Sequence, residues 1–162
     1  MNSTRSLFGL GLALVLAGQT SCTSTKQGDA DTGQLAKLRA QAEQGRAKAQ
    51  NELGEAFGLG KYGLATNSVE AVKWYHKAAE QNDAKAQYNL ADCYYEGRGG
   101  LHDLVEAVKW YRKAAEQNDA KAQWAMGRCY ALGHGVVKDE AEAVKWLRKA
   151  AAQGEAMAQS NL

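Results

Sequence analysis

Proline is absent from all 162 residues of this chain. Proline is the commonest helix breaker, since it lacks a backbone donor and its ring clashes with the preceding turn, so nothing of that kind interrupts a helix here. Charge of one sign is also missing. With Arg5 set aside, 19 basic side chains face 18 acidic ones, and no basic stripe of the sort that binds nucleic acid is present. No apolar run is long enough to cross a membrane: the longest, Leu7–Ala17, falls well short of the roughly 20 residues a spanning helix needs.

Motifs of catalysis are missing too. There is no His-Glu-x-x-His and no paired Cys-x-x-Cys. There is also no Gly-x-Ser-x-Gly or Ser-x-x-Lys to frame a serine nucleophile. Gly58-x-Gly60-x-x-Gly63 matches the dinucleotide fingerprint in letters only, because it follows a helix rather than a strand. His76, His102 and His134 have no ligand partners at a metal spacing and read as solvated side chains. No enzyme activity, metal or cofactor is expected.

What the chain does have is a repeat. Glu-Ala-Val-Lys-Trp occurs at Glu70–Trp74, Glu106–Trp110 and Glu142–Trp146, so the three tryptophans lie 36 residues apart. Each copy runs on to Lys-Ala-Ala and then, after one residue, to Gln81, Gln117 or Gln153. A second phrase, Ala-Lys-Ala-Gln, recurs at Ala47–Gln50, Ala84–Gln87 and Ala120–Gln123, and degrades to Ala-Met-Ala-Gln at Ala156–Gln159. Self-similarity at this period marks stacked supersecondary units, none of which buries its apolar face alone.

The middle repeat shows the unit. Ala84, Gln87, Leu90, Ala91 and Tyr94 share one face at 100° per residue, which predicts an amphipathic first helix. Gly97-Arg98-Gly99-Gly100 ends it. Asp103–Glu106 then has the form of a capping box opening a second helix, as do Asn67–Glu70 and Asp139–Glu142. That second helix carries Ala107, Val108, Trp110, Tyr111, Ala114 and Ala115 on a wide apolar arc, with each indole expected to be buried between helices. Asn118, matched by Asn82, Gly154 and Gly45, is placed for the left-handed residue that closes a helix. The first repeat holds one extra residue, expected in the loop Gly58–Gly63.

The expected fold is all-α, a right-handed α-α solenoid of stacked helix-turn-helix repeats of 36 residues. Its expected divisions are a signal peptide over 1–22, a polar linker over 23–30 and the solenoid over 31–162. Within the solenoid, Asp31 caps an N-terminal helix over 31–45, repeats follow at 46–82, 83–118 and 119–154, and a partial unit occupies 155–162. The pattern stops at Leu162 part-way through a helix, which suggests a piece of a longer array. Cys93 and Cys129 occupy equivalent sites. Stacked helices about 10 Å apart hold such sites beyond the roughly 7 Å reach of a disulfide, so both are expected as buried thiols.

The phrases Ala-x-x-x-Leu-(Gly/Ala)-x-x-(Tyr/Phe)-x-x-Gly-x-Gly and Asp-x-x-x-Ala-x-x-Trp-x-x-Lys-Ala-Ala resemble the Sel-one-like repeat family over about residues 36–162. That family is an α-solenoid relative of the tetratricopeptide repeat. The resemblance implies a protein-interaction scaffold whose first helices line a concave surface. On that face fall Asn51 and Glu55, then Tyr88, Asp92 and Tyr95, then Trp124 and Arg128, and these are the candidate partner-binding residues. Tyr88, Tyr95 and Trp124 are the natural anchors, since aromatics dominate interface hot spots. Tyr88 and Trp124 equally suit packing against a neighbouring repeat. The expected partner is a protein or peptide at the bacterial cell envelope. The competing reading is a protein that binds or hydrolyses peptidoglycan or β-lactams, as the resemblance implies for some secreted relatives.

Arg5, the apolar run and the small residues after it form an export signal. Gln19-Thr20-Ser21-Cys22 resembles a bacterial lipobox, with Gln19 in place of the usual leucine-like residue. Cys22 is then the lipidation site and the sole link to a membrane; cleavage after Gly18 would instead give a soluble exported protein. If Cys22 carries lipid, the protein partitions into the detergent phase and Cys22→Ser moves it to the aqueous phase. Detergent-phase partitioning that survives the substitution rules the anchor out.

Overall fold

The computed structural model describes residues 22–159; the export signal, most of the lipobox and residues 160–162 lie outside the described residues. Within them the chain is a run of helices. They are α1 (Cys22–Glu43), α2 (Ala47–Leu59), α3 (Ser68–Glu80), α4 (Ala84–Glu96), α5 (Leu104–Glu116), α6 (Ala120–Leu132), α7 (Glu140–Ala152) and the short α8 (Ala156–Gln159). One turn of 3₁₀ helix follows α2 (Lys61–Gly63) and α4 (Arg98–Gly100). The tightest packing is within the pairs α2–α3, α4–α5 and α6–α7, and lighter packing joins each pair to the next. The architecture is an α-solenoid of three helix pairs, with α1 laid over the first.

Each turn is set by a few side chains. Asp83 and Asp119 cap α4 and α6, their carboxylates accepting the amides of Ala86 and Ala122 at 2.9 and 2.8 Å. Asn67, Asp103 and Asp139 cap α3, α5 and α7 by accepting the amides of Glu70, Glu106 and Glu142. Only this half of the expected capping box forms. The N-cap amides donate instead to the carbonyls of Phe57, Tyr94 and Tyr130, in the last turn of the preceding helix. Those carbonyls have no partner within their own helix, so one bond satisfies both termini. The freed carboxylates of Glu70, Glu106 and Glu142 pair with Lys73, Lys109 and Lys145.

The second helices close as the sequence suggests. Asn82 and Asn118 have φ of 67° and 69°, and Gly45 and Gly154 have 84° and 83°. Around Asn82, its amide donates to Ala79 and that of Asp83 reaches back to Ala78, which is the Schellman pattern.

Three expectations change. α1 runs back to Cys22, so residues 23–30 are helical backbone and Asp31 is interior to the helix, not its cap. No proline stops the helix there, and extending an existing helix gains a hydrogen bond per residue without a new nucleus. Gly58 belongs to α2, and the extra residue of the first repeat falls between Leu64 and Asn67, after a glycine turn that the second repeat matches one for one. The tryptophans are unequal. Trp110 and Trp146 are 8% and 7% exposed, whereas Trp74 is half-buried at the edge of the smaller α1–α2 cluster. Beside each indole a lysine one turn on, Lys77, Lys113 or Lys149, sits 3.8–4.3 Å from the ring centroid.

The core is built largely of alanine, which lets helices approach closely; Leu53, Leu90 and Met126 are its largest fully buried apolar side chains. Cys93 and Cys129 are free and buried. At the junctions between units lie three buried glutamines. Gln87 in α4 donates to the Ala79 carbonyl and the Asn82 side chain of α3's end, at 3.2 and 3.1 Å, and accepts from Gln117 at the end of α5 at 2.7 Å. Gln123 repeats this one unit on, with Ala115, Asn118 and Gln153. Gln50 joins the Ala42 carbonyl of α1 to Gln81. Among the described residues every buried glutamine thus ties three successive helices.

Replacing Gln87 by leucine keeps the volume and strands the groups it satisfies. It should destabilise the protein by about 2–3 kcal/mol, while Lys85→Ala on the exposed side of the same helix stays within about 0.5 kcal/mol. Urea unfolding monitored by circular dichroism measures both; equal midpoints would refute the assignment.

Candidate functional site: the inner face of the first helices

Helices α2, α4 and α6 are equivalent, and the sides they turn away from α3, α5 and α7 form a trough. A cleft of about 290 Å³ runs across all three units, lined by Glu55, Lys85, Tyr88, Asn89, Asp119, Lys121 and Glu155. A second, of about 520 Å³, lies between α2 and the start of α4 and includes Lys48, Glu52 and Lys85. That Glu55 and Glu155 border one cleft shows how far the array curves, since a hundred residues separate them in sequence.

The candidate residues take distinct places. Asn51 is only 4% exposed and so part of the scaffold: it donates to Glu55 at 3.2 Å and accepts from Asn89 at 2.9 Å. Glu55, half-buried, also receives Lys61 at 3.4 Å and borders the clefts on both sides. Tyr88 leans on the ring of Tyr111, centroids 5.8 Å apart. Burial, with Asp92 next in effect, pushes its hydroxyl up to about 12. Asp92 is held between Arg98 and the Tyr111 hydroxyl, which donates to it at 3.2 Å. Burial and then this carboxylate keep the Tyr111 proton on well above the usual phenol range.

Tyr95 and Arg128 form one cluster with Trp124. The Tyr95 ring lies 6.3 Å from that of Tyr111, and its hydroxyl shares a 2.7 Å hydrogen bond with Nδ1 of His134. The Arg128 guanidinium sits 5.4 Å from the Tyr95 ring and 4.7 Å from that of Trp124, and donates to the Tyr95 hydroxyl at 3.4 Å. Trp124 also packs against Leu147, Ala150 and Ala158, with its indole N–H buried. It therefore takes the packing role that the sequence left open as well as edging the trough.

The structure brings Tyr88, Asp92, Tyr95, Trp124 and Arg128 into one continuous patch, with Glu55 at its other end. His134 was expected to be a solvated loop side chain; it is half-buried and bonded to Tyr95, because the glycine turn after α6 folds back over α4's end. Tyr75, Tyr111, Arg98 and Glu155 also reach the inner face and were not assigned to it from sequence. The available signal was the identity of the second-helix position: Tyr75, Tyr111 and Leu147 are equivalent, and a phenol there sends its hydroxyl past the core.

Among the described residues no group of three or more His, Cys, Asp or Glu could hold a metal ion. No described helix is long and apolar enough to cross a membrane.

The family model described as Sel1 repeat matches three times, over residues 47–83, 84–119 and 120–155. A Sel1 repeat protein from Oxalobacter formigenes superposes with a TM-score of 0.71 at 39% identity, covering 80% of this chain and 96% of that one. The cysteine rich protein B of Helicobacter pylori gives 0.62 at 31%, covering 79% and 96%. A protective antigen of uropathogenic Escherichia coli, described as displaying an SLR fold, gives 0.74 at 34%, covering 77% of this chain and 27% of the antigen. Among curated proteins, an uncharacterized protein of Neisseria meningitidis is 41% identical over 69 residues, 42% of this chain. An F-box protein of Arabidopsis thaliana is 41% identical over 54 residues, 30% of this chain. The chain spans only 14% and 15% of the length of these two.

The two cysteines offer a test of the packing. Burial pushes both thiols up to about 11. At pH 8 such a thiol is roughly 0.1% thiolate, against about a quarter for a free cysteine. Alkylation of the folded protein should therefore be slowed by about a hundredfold or more. Cys93, which lines a cleft beside Gly58, should react before Cys129. Peptide mapping after timed maleimide exposure checks the order; Cys129 reacting first would contradict the packing.

Proposed function

The chain belongs to the Sel1 repeat family, and we propose that it is a non-catalytic scaffold that holds a protein or peptide partner in the trough of α2, α4 and α6. Sel1 repeats generally serve protein interaction. One observation carries the choice of face. The units agree where they touch one another, at the alanines, the buried glutamines and the caps; along the trough Lys48, Lys85 and Lys121 also repeat, but the positions beside them diverge. There Glu55, Asp92 and Arg128 are equivalent positions, as are Asn51, Tyr88 and Trp124. A repeated frame whose inner surface varies at these positions suits recognition of one extended, irregular ligand.

The chemistry of the trough supports the same reading. Rings of Tyr88, Tyr95 and Trp124 supply rigid contact area, and lysines 48, 85 and 121 alternate with Glu55, Asp119 and Glu155 along the clefts. A mixed pattern of this kind favours a polypeptide of mixed charge over a polyanion. We further place the protein at the bacterial cell envelope, exported through residues 1–22 and tethered by lipid at Cys22, on the sequence features alone.

Photo-crosslinking amino acids at Lys85 and Lys121, on the trough, and at Lys109 and Lys145, on the outer faces of α5 and α7, test the face in living cells. Discrete adducts are expected from the first pair and none from the second. Equal crosslinking from both faces, or from the outer face alone, would overturn the proposal.

A further inference from the structure

We propose that the cleft beside Gly58 receives a tyrosine side chain of the partner. This rests on the trough being the partner surface and specifies what its first unit recognises. The cleft, of about 250 Å³, lies between α2, α3, α4 and the turn at Arg98, and is lined by Glu55, Gly58, Tyr75, Asn89, Cys93 and Arg98 among others.

The molecule contains its own template for the occupant. Gly58 in α2 is equivalent to Tyr95 in α4. The Tyr95 ring stands against Tyr111, and its hydroxyl meets His134 at 2.7 Å and Arg128 at 3.4 Å. One unit earlier, the positions of Tyr111, His134 and Arg128 are held by Tyr75, Arg98 and Asp92. The aromatic wall and the polar end are both present, and the ring between them is missing.

A second observation points to a ligand. Tyr75 is only 8% exposed, and its hydroxyl has no hydrogen-bond partner among the described residues. The equivalent hydroxyl of Tyr111 donates to Asp92, whereas Glu55, at Asp92's position in the first unit, is drawn aside by Asn51 and Lys61. The ring is packed away while the oxygen opens only on the cleft, so that donor and acceptor are left to whatever occupies it. At the rim Leu59 is 66% exposed, ready to cover the flanking backbone of a peptide.

Glycine at position 58 is not forced by packing. A Cβ there would lie 3.5 Å from the Tyr75 hydroxyl oxygen and 3.7 Å from Ala71 Cβ, ordinary contact distances. A glycine inside a helix is unfavourable, so what it supplies here is the open space. A phenol in that space lays its ring against Tyr75, and its oxygen accepts from Arg98, whose guanidinium has donors beyond those used by Asp92. Phenylalanine would fill the same volume and leave Arg98 and the Tyr75 hydroxyl dehydrated without a partner. Sites built to bond a hydroxyl discriminate strongly against analogues that lack it.

The test titrates the purified chain with N-acetyl-tyrosinamide, N-acetyl-phenylalaninamide and p-cresol, following the backbone amide of Gly58 by NMR. Weak millimolar binding of the tyrosine amide is expected, at least fivefold tighter than the phenylalanine amide. Gly58→Tyr, which supplies the ring internally, should weaken it more than tenfold with the helical signal unchanged. Arg98→Leu, in an exposed turn, should erase the preference for tyrosine over phenylalanine, and it decides the matter if Gly58→Tyr does not fold. Equal affinity for the two amides in the wild type, binding that survives Gly58→Tyr, or binding of p-cresol without the tyrosine amide would each overturn the proposal. Trough crosslinks from Lys85 and Lys121 that persist without tyrosine binding would sink this cleft and leave the scaffold reading standing.

Discussion

A buried amide that no single helix can satisfy holds this array together. Gln50, Gln87 and Gln123 are each buried, and each needs partners from the helix before and the helix after its own. An apolar interface of alanines tolerates sliding, because burial is nearly indifferent to register. Directional bonds in a dry interior are not indifferent, since an unmade one costs about 1–3 kcal/mol. The glutamines therefore set the register and phase of one unit upon the next. The asparagines and glycines that end the second helices serve the same junction, because the left-handed turn at Asn82 and Asn118 also brings an amide oxygen within reach of the glutamine.

With register fixed at the junctions, the inner face is free to differ from unit to unit. The position held by Gly58, Tyr95 and Ala131 goes from open to filled to small, and that held by Glu55, Asp92 and Arg128 changes sign. Interactions along the trough cross from one unit to the next: Asn89 to Asn51, Tyr95 to His134 and Arg128. The surface proposed for recognition is thus a property of neighbouring pairs, and no single repeat contains it.

Membership of the Sel1 repeat family, the helix pairs, their glycine and asparagine stops and the N-caps of the second helices were all legible in the sequence. Each depends on residues close together in the chain, and three copies of every signal separate pattern from accident. Less was legible at the site. Asn51 was picked as a contact; it lines a cleft and is also a strut between units, a role hidden in the sequence because its partner Asn89 lies in the next unit. His134 was passed over, because its bond to Tyr95 joins residues 39 apart. Gln87 was placed on the core face of its helix, but the bonds that tie it to the helices before and after were not legible, since their partners lie in other helices.

The helices, the period and the residues that repeat follow from the order of amino acids alone, since backbone propensity, capping and amphipathic spacing are local physics. Tertiary structure decided which polar groups are buried and paired, that the Glu70, Glu106 and Glu142 carboxylates leave the caps for lysine, and that a hole opens above Gly58. Those outcomes depend on where the neighbouring helix places its carbonyls and rings, and stacking distances, not composition, set that position.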